Sequence, residues 1–196
     1  MGSHPEIEYT GEIFYRRIPH TDSELHSILR DAKRDALWTC VDVKYNQLSA
    51  PLARWMARDE VRVIQLVRRD TLAIYFSGAL HTWRGEHPEQ AAAGEVPPIR
   101  FDRSIYDEQV HEIGAYVERY APLADLVLYY ERLTGGSNVK AMPVEYSTAI
   151  CDLLGVEHAP MSVDFDKDAP PCFLRHLAGV PLELAQQSAR CYLEDL

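Results

Sequence analysis

Arg68 and Arg69 close the apolar run Val61-Arg62-Val63-Ile64-Gln65-Leu66-Val67, and Ser77 follows Arg69 by eight residues. A phosphate held at such a turn takes a bidentate arginine pair and a hydroxyl hydrogen bond, which offset its loss of hydration. The same residues also suit a plainer role, in which Asp70 caps a helix, the arginines stay solvated and Ser77 packs against its neighbours. Composition leaves both readings open. His81, His87, His111, His158 and His176 have no metal-ligand spacing, so no metal site is expected. Cys40, Cys151, Cys172 and Cys191 form no CxxC pair and read as thiols in a reducing compartment.

Several elements must position these groups. Leu25, Ile28, Leu29 and Ala32 recur on one face and predict a helix near 22–34, with Thr21 or Asp22 as its cap. The spacing predicts strands over 37–43, 61–67 and 126–130, the last two being apolar enough for burial between helical layers. Helices are expected near 48–58, 71–82, 102–121 and 143–154, the last stopping at Gly155. In the fourth of these five helices, Ile105, Gln109, Ile113, Tyr116 and Tyr120 mark the apolar side, widened by Val110 and Val117. Residues 86–99 read as an irregular surface excursion, residues 134–138 as a loop, and the proline-rich tail allows short helices near 173–178 and 182–193.

The chain has 196 residues, 46% hydrophobic, enough for one core, so a single domain over 1–196 is expected. With 20 basic against 30 acidic residues the formal charge is −10, which argues against a general nucleic-acid partner and leaves anion binding to a local patch. No signal segment and no run of 18 apolar residues is present, so a cytoplasmic protein without a transmembrane segment is expected.

The 61–77 segment resembles the motif by which nucleotide-dependent sulfotransferases hold the 3′-phosphate of phosphoadenosine phosphosulfate. In that motif an arginine ends a buried strand and a serine follows eight residues later, as Arg69 and Ser77 do; Arg68, nine residues from Ser77, is the second candidate. Four more segments follow the family's order. His4-Pro5-Glu6-Ile7-Glu8-Tyr9-Thr10-Gly11-Glu12-Ile13-Phe14 resembles the HP…GE(I/L)F pattern of the bacterial and carbohydrate-type branches, and Val43-Lys44-Tyr45-Asn46-Gln47-Leu48 resembles the next strand and its polar exit. Val127-Leu128-Tyr129-Tyr130-Glu131-Arg132-Leu133 is similar to the later RYEDL strand, and Ile150-Cys151-Asp152-Leu153-Leu154-Gly155-Val156 to its helix and FLG ending.

The resemblance implies an α/β fold, a P-loop-like core with a mostly parallel sheet and flanking helices, and sulfuryl transfer to a hydroxyl or amine of a small-molecule or carbohydrate acceptor. Phosphoadenosine phosphosulfate is then the co-substrate. It makes Glu12 the candidate general base, and gives Lys44 a donor-phosphate role that competes with its stem packing on Tyr45. Glu131 is expected to hold local geometry. Relative to the family, the chain starts beyond the first strand, phosphosulfate loop and helix, and Gly135-Gly136-Ser137-Asn138 does not replace that loop. Poor transfer activity, or a non-enzymatic binding or assembly domain, or an incomplete fragment, is therefore expected, with an oligomer as one means of covering the incomplete sheet. The acidic run Asp164-Phe165-Asp166-Lys167-Asp168 replaces a basic family segment.

Overall fold

A computed structural model describes residues 4–14, 17–134, 141–162 and 173–192. In chain order the elements are β1 (Ile7–Tyr9), α1 (Asp22–Ala32), β2 (Trp38–Cys40), α2 (Ala50–Met56), β3 (Ile64–Val67), α3 (Thr71–Glu86), α4 (Pro88–Ala92), β4 (Ile99–Arg100) and α5 (Arg103–Tyr120). Then follow β5 (Leu126–Tyr129), α6 (Tyr130–Thr134), α7 (Val144–Leu154), β6 (Leu177–Ala178) and α8 (Leu182–Arg190). Single 3₁₀ turns occupy Tyr45–Gln47, Ala121–Leu123 and Phe173–His176. The chain is thus of the α/β class. Its described strands form three two-stranded sheets, β1–β2, β3–β5 and β4–β6, the first and last parallel. The residues group into two compact units.

The first unit comprises the described residues of Met1–Gln65, Tyr116–Leu128 and Val139–Asp164. Thr21 accepts from the Glu24 amide at 3.2 Å, and the Glu24 carboxylate reaches back to the Thr21 amide, also at 3.2 Å. This capping box satisfies amides that the first helical turn leaves without partners. Helix α1 then lays Leu25 and Ile28 against Phe14 and Leu52 in one apolar cluster. Because α1 bridges β1 to β2, the strands can run parallel, with Ile7 opposite Trp38 and Tyr9 opposite Cys40. The Trp38 indole donates to the Leu154 carbonyl at 2.9 Å, tying β2 to the end of α7.

Helix α7 stops at Gly155, whose φ of +64° is left-handed and whose added Cβ would meet nothing within 4 Å. Gly155→Ala is therefore expected to cost about 1 kcal/mol, purely from backbone conformation. A drop of a few degrees in thermal midpoint, with no change in the circular dichroism spectrum, checks this.

The second unit comprises the described residues of Leu66–Ala115, Tyr129–Asn138 and Phe165–Leu196. Leu72, Ala73, Tyr75, Phe76 and Leu80 of α3 pack with Tyr106, Phe173 and Leu177. Ile99 lies opposite Leu177 and Arg100 opposite Ala178 in the β4–β6 pair. Asp102 accepts the Ser104 amide at 2.9 Å and so starts α5.

Three expectations need correction. β3 and β5 are not enclosed on both faces: Leu66 is 45% and Val127 40% exposed, as in strands covered on one side only. On α5 the core residue is Tyr106, while Ile105 stands in solvent. The Tyr106 ring fits between Tyr75 and Phe101, 6.0 and 5.4 Å away between centroids, so aromatic packing replaces Ile105 in the first turn, while Gln109, Val110, Ile113, Tyr116, Val117 and Tyr120 of the expected face are half-buried. The 86–99 excursion contains the short α4, begun by Pro88 at a position where a missing amide costs nothing. The loop at 135–138, Cys172, residue 193 and the 164–168 acidic run lie outside the described residues.

Candidate functional site

In the second unit the turn Arg68-Arg69-Asp70 joins β3 to α3. Buried Asp70 is the helix cap, accepting the Ala73 amide at 3.0 Å. Its other oxygen accepts the Ser188 hydroxyl of α8 at 2.8 Å, and Tyr192 adds a further hydrogen bond to the same carboxylate. From α6 the buried Glu131 accepts the Asp70 amide at 2.9 Å. The turn is thus held through its side chain by the tail and through its backbone by Glu131, which bears out the geometric role expected of that carboxylate. Desolvation by burial raises the Asp70 carboxyl above its ordinary range, and the bonds from Ala73, Ser188 and Tyr192 and the charge of Arg68 offset it in part.

The two arginines of this turn point to different partners. The Arg68 guanidinium lies 4.7 Å from the Tyr130 ring centre, and that of Arg69 lies 4.9 Å from Tyr129 while donating to the Cys191 carbonyl at 3.4 Å. Arg68 Nε and Glu131 Oε2 are buried without a hydrogen-bond partner among the described residues. Ser77 is half-buried on α3, six residues past Thr71 and so about 9 Å along the helix axis. Arg69, Asp70, Thr71, Tyr106 and Ser188, among others, line a dent at this turn that has no room for a water molecule. Small-molecule pockets start at about 300 Å³, far above this dent.

Glu12 and Lys44 belong to the first unit, and there the fold brings them together. Strands β1 and β2 end in register, and the segments leaving them run side by side: the Thr10 amide donates to the Cys40 carbonyl at 3.0 Å and the Asp42 amide to that of Gly11 at 3.0 Å. Gly11 takes φ +75°, a turn that carries Glu12 over to Lys44, whose ammonium sits 3.0 Å from the carboxylate. This ion pair is partly exposed, so its contribution to stability is about 0–1 kcal/mol. Lys44 therefore meets Glu12, while the Tyr45 ring packs on Tyr116 at 5.1 Å. Beside the pair, the Tyr9 hydroxyl donates to Asp42. Burial first, then Asp42, Cys40 and Glu12, raise the Tyr9 phenol well above its usual value, so it stays a proton donor. Burial, reinforced by Asp42, pushes the Cys40 thiol up to about 11, which keeps it out of nucleophilic chemistry at neutral pH.

Comparison of the chain with protein families, with curated proteins and with solved structures finds no match. The site therefore rests on its own residues. Sequence reasoning missed Tyr9, Asp42, Ser188 and Tyr192. The first two were legible in principle, since parallel pairing of β1 and β2 puts Tyr9 opposite Cys40, two residues before Asp42. Ser188 and Tyr192 join Asp70 across more than a hundred residues and carry no local signal. Among the described residues no group of histidine, cysteine and carboxylate side chains could hold a metal ion, and no helix is long and apolar enough to cross a membrane.

Proposed function

We propose that this chain is a sulfotransferase-like protein with a P-loop-like α/β core, and that its turn at Arg68-Arg69 binds the 3′-phosphate of phosphoadenosine phosphosulfate. The observation that carries the reading is the construction of the turn. Two buried carboxylates, Asp70 and Glu131, fix a basic strand-to-helix junction from its side chain and its backbone, and Ser77 follows on the helix so started. Arg69 and Ser77 supply the phosphate partners. Arg68, whose Nε lacks a hydrogen-bond partner among the described residues, is the second cation.

Glu12 and Lys44 supply the acceptor side. In the transfer, the acceptor oxygen bonds to sulfur as the bond between sulfur and the bridging phosphate oxygen breaks. The electron pair leaves with adenosine 3′,5′-bisphosphate, and the acceptor's proton passes to Glu12. Lys44 neutralises Glu12 before an acceptor arrives.

Isothermal titration with adenosine 3′,5′-bisphosphate tests the nucleotide side. Arg69→Ala is expected to weaken binding about 10–100-fold, through loss of a charge-assisted pair, and Ser77→Ala about 3–10-fold. Affinity should also fall with added salt. Unchanged affinity in both variants, with the fold intact, would reject the assignment. The competing reading is a binding domain without catalysis. Bisphosphate binding without any sulfated product from labelled donor and an acceptor mixture would decide for it.

A further inference from the structure

We infer that helix α8, with Cys191 and Tyr192, is an autoinhibitory strap docked on the Arg68-Arg69-Asp70 turn in the place of an anion, and that an anion reaches Arg69 only once this strap has left. This rests on the reading of Arg69 as a phosphate partner. Three observations carry the rest, all within the second unit.

First, the strap fills the site. The Cys191 carbonyl accepts from the Arg69 guanidinium at 3.4 Å, where a phosphate oxygen would otherwise bind. Leu184, Gln187, Ser188 and Cys191 close the dent at the turn from the tail side, and no room for a water molecule is left between them and Arg69. Anion and strap therefore exclude each other.

Second, the strap is latched more than it is packed. Ser188 is the one buried residue of α8, and its hydroxyl and that of Tyr192 both bond the Asp70 carboxylate. Burial first, then the charge of Asp70, hold the Tyr192 phenol above its usual value, so it donates at neutral pH. Leu184 adds a partly buried contact with the α3 cluster, whereas Leu182 is 70% exposed. A helix of nine residues does not persist alone in water, so loss of the latch frees the whole segment.

Third, the closed state leaves polar groups unsatisfied. Arg68 Nε and Glu131 Oε2 are buried without a hydrogen-bond partner among the described residues, and both side chains lie close enough to Tyr192 to act on its phenol. Release of the strap hydrates them, which offsets part of the lost latch. A neutral carbonyl is also the weaker partner for a guanidinium, charge-assisted bonds being about twice as strong. An arriving phosphate thus displaces Cys191 from Arg69.

Titration of adenosine 3′,5′-bisphosphate into the full chain and its Ser188→Ala/Tyr192→Phe double variant, with hydrogen exchange followed over 182–192, tests this. Asp70 is kept, because it also starts α3. The double variant is expected to bind about 10-fold more tightly, since apparent affinity scales with the open fraction. In the parent, saturating bisphosphate should speed exchange over 182–192 while Thr71–Glu86 stays protected. Equal or weaker binding by a folded double variant, or exchange over 182–192 in the parent that is unchanged or slower on binding, overturns the strap; the parent's exchange decides alone if the double variant does not fold. Arg69→Ala separates the two claims. Arg69-dependent binding that leaves 182–192 as protected as before removes the strap alone, whereas faster exchange in the double variant with no Arg69-dependent binding in either protein removes the phosphate reading and the strap with it.

Discussion

Phe76→Ala is expected to lower folding stability by about 3–5 kcal/mol, the usual cost of emptying a buried aromatic site. Phe76 is fully buried on α3, with its ring 5.5 Å from that of Phe173 and 6.4 Å from that of His176. Small domains are stable by about 5–15 kcal/mol, so the loss is a large share of the total. Removing the ring forfeits its transfer free energy and leaves a void that close-packed neighbours fill only in part. Phe76→Leu, which keeps most of the volume, should cost about 1–2 kcal/mol. Urea unfolding of the three proteins gives the ranking. Faster hydrogen exchange in Thr71–Glu86 and Phe173–His176 should accompany the alanine variant, because those segments share the void. A loss below about 1 kcal/mol would mean that this helix face is not the packed core described above. The functional stake is direct, since Ser77 is the next residue on the same helix and inherits its position from this packing.

What the sequence disclosed about this core depended on the kind of signal. Helices α1, α3 and α7 were legible because local chemistry marks their ends: Thr21 with Glu24, Asp70 with Ala73, and the left-handed Gly155. The face of α5 was legible from Gln109 to Tyr120 but not in its first turn, where aliphatic spacing pointed to Ile105 while aromatic contacts from Tyr75 and Phe101 selected Tyr106. Strands β3 and β5 misled in another way. A short apolar run has the same composition whether one face is covered or both, so exposure at Leu66 and Val127 could not be read from it. The candidate site divides similarly. Arg68, Arg69 and Ser77 are neighbours in the chain and visible as a pattern, and Glu12 and Lys44 came from resemblance. The ties from Ser188 and Tyr192 depend on tertiary contact between distant segments, for which no periodicity exists.

Asp70 is where stability and the proposed chemistry meet, and Asp70→Ala is expected to cost about 2–4 kcal/mol. The loss combines the helix cap, about 1 kcal/mol, with the penalty for stranding a buried Ser188 hydroxyl, about 1–3 kcal/mol. Asp70→Asn keeps an oxygen for the Ala73 amide and a polar partner for Ser188, so it should stay within about 1 kcal/mol of the parent at neutral pH. The pair differs in its pH dependence, and the sign follows from linkage. Burial raises the folded-state Asp70 carboxyl above its ordinary 3.8, so over that window the folded protein binds more protons than the unfolded chain. Stability from this group therefore falls as pH rises through the window and is fully restored on acidification below it; asparagine has no such term. Urea midpoints of parent and Asp70→Asn, measured from pH 7 down to pH 4, should show the parent gaining relative to the variant. A parent that instead loses ground on acidification would mean that the cationic turn, and not desolvation, governs Asp70. The same variants bear on the nucleotide site: Asp70→Ala releases the start of α3 and should weaken bisphosphate binding without removing any phosphate partner, whereas Asp70→Asn should leave it close to the parent.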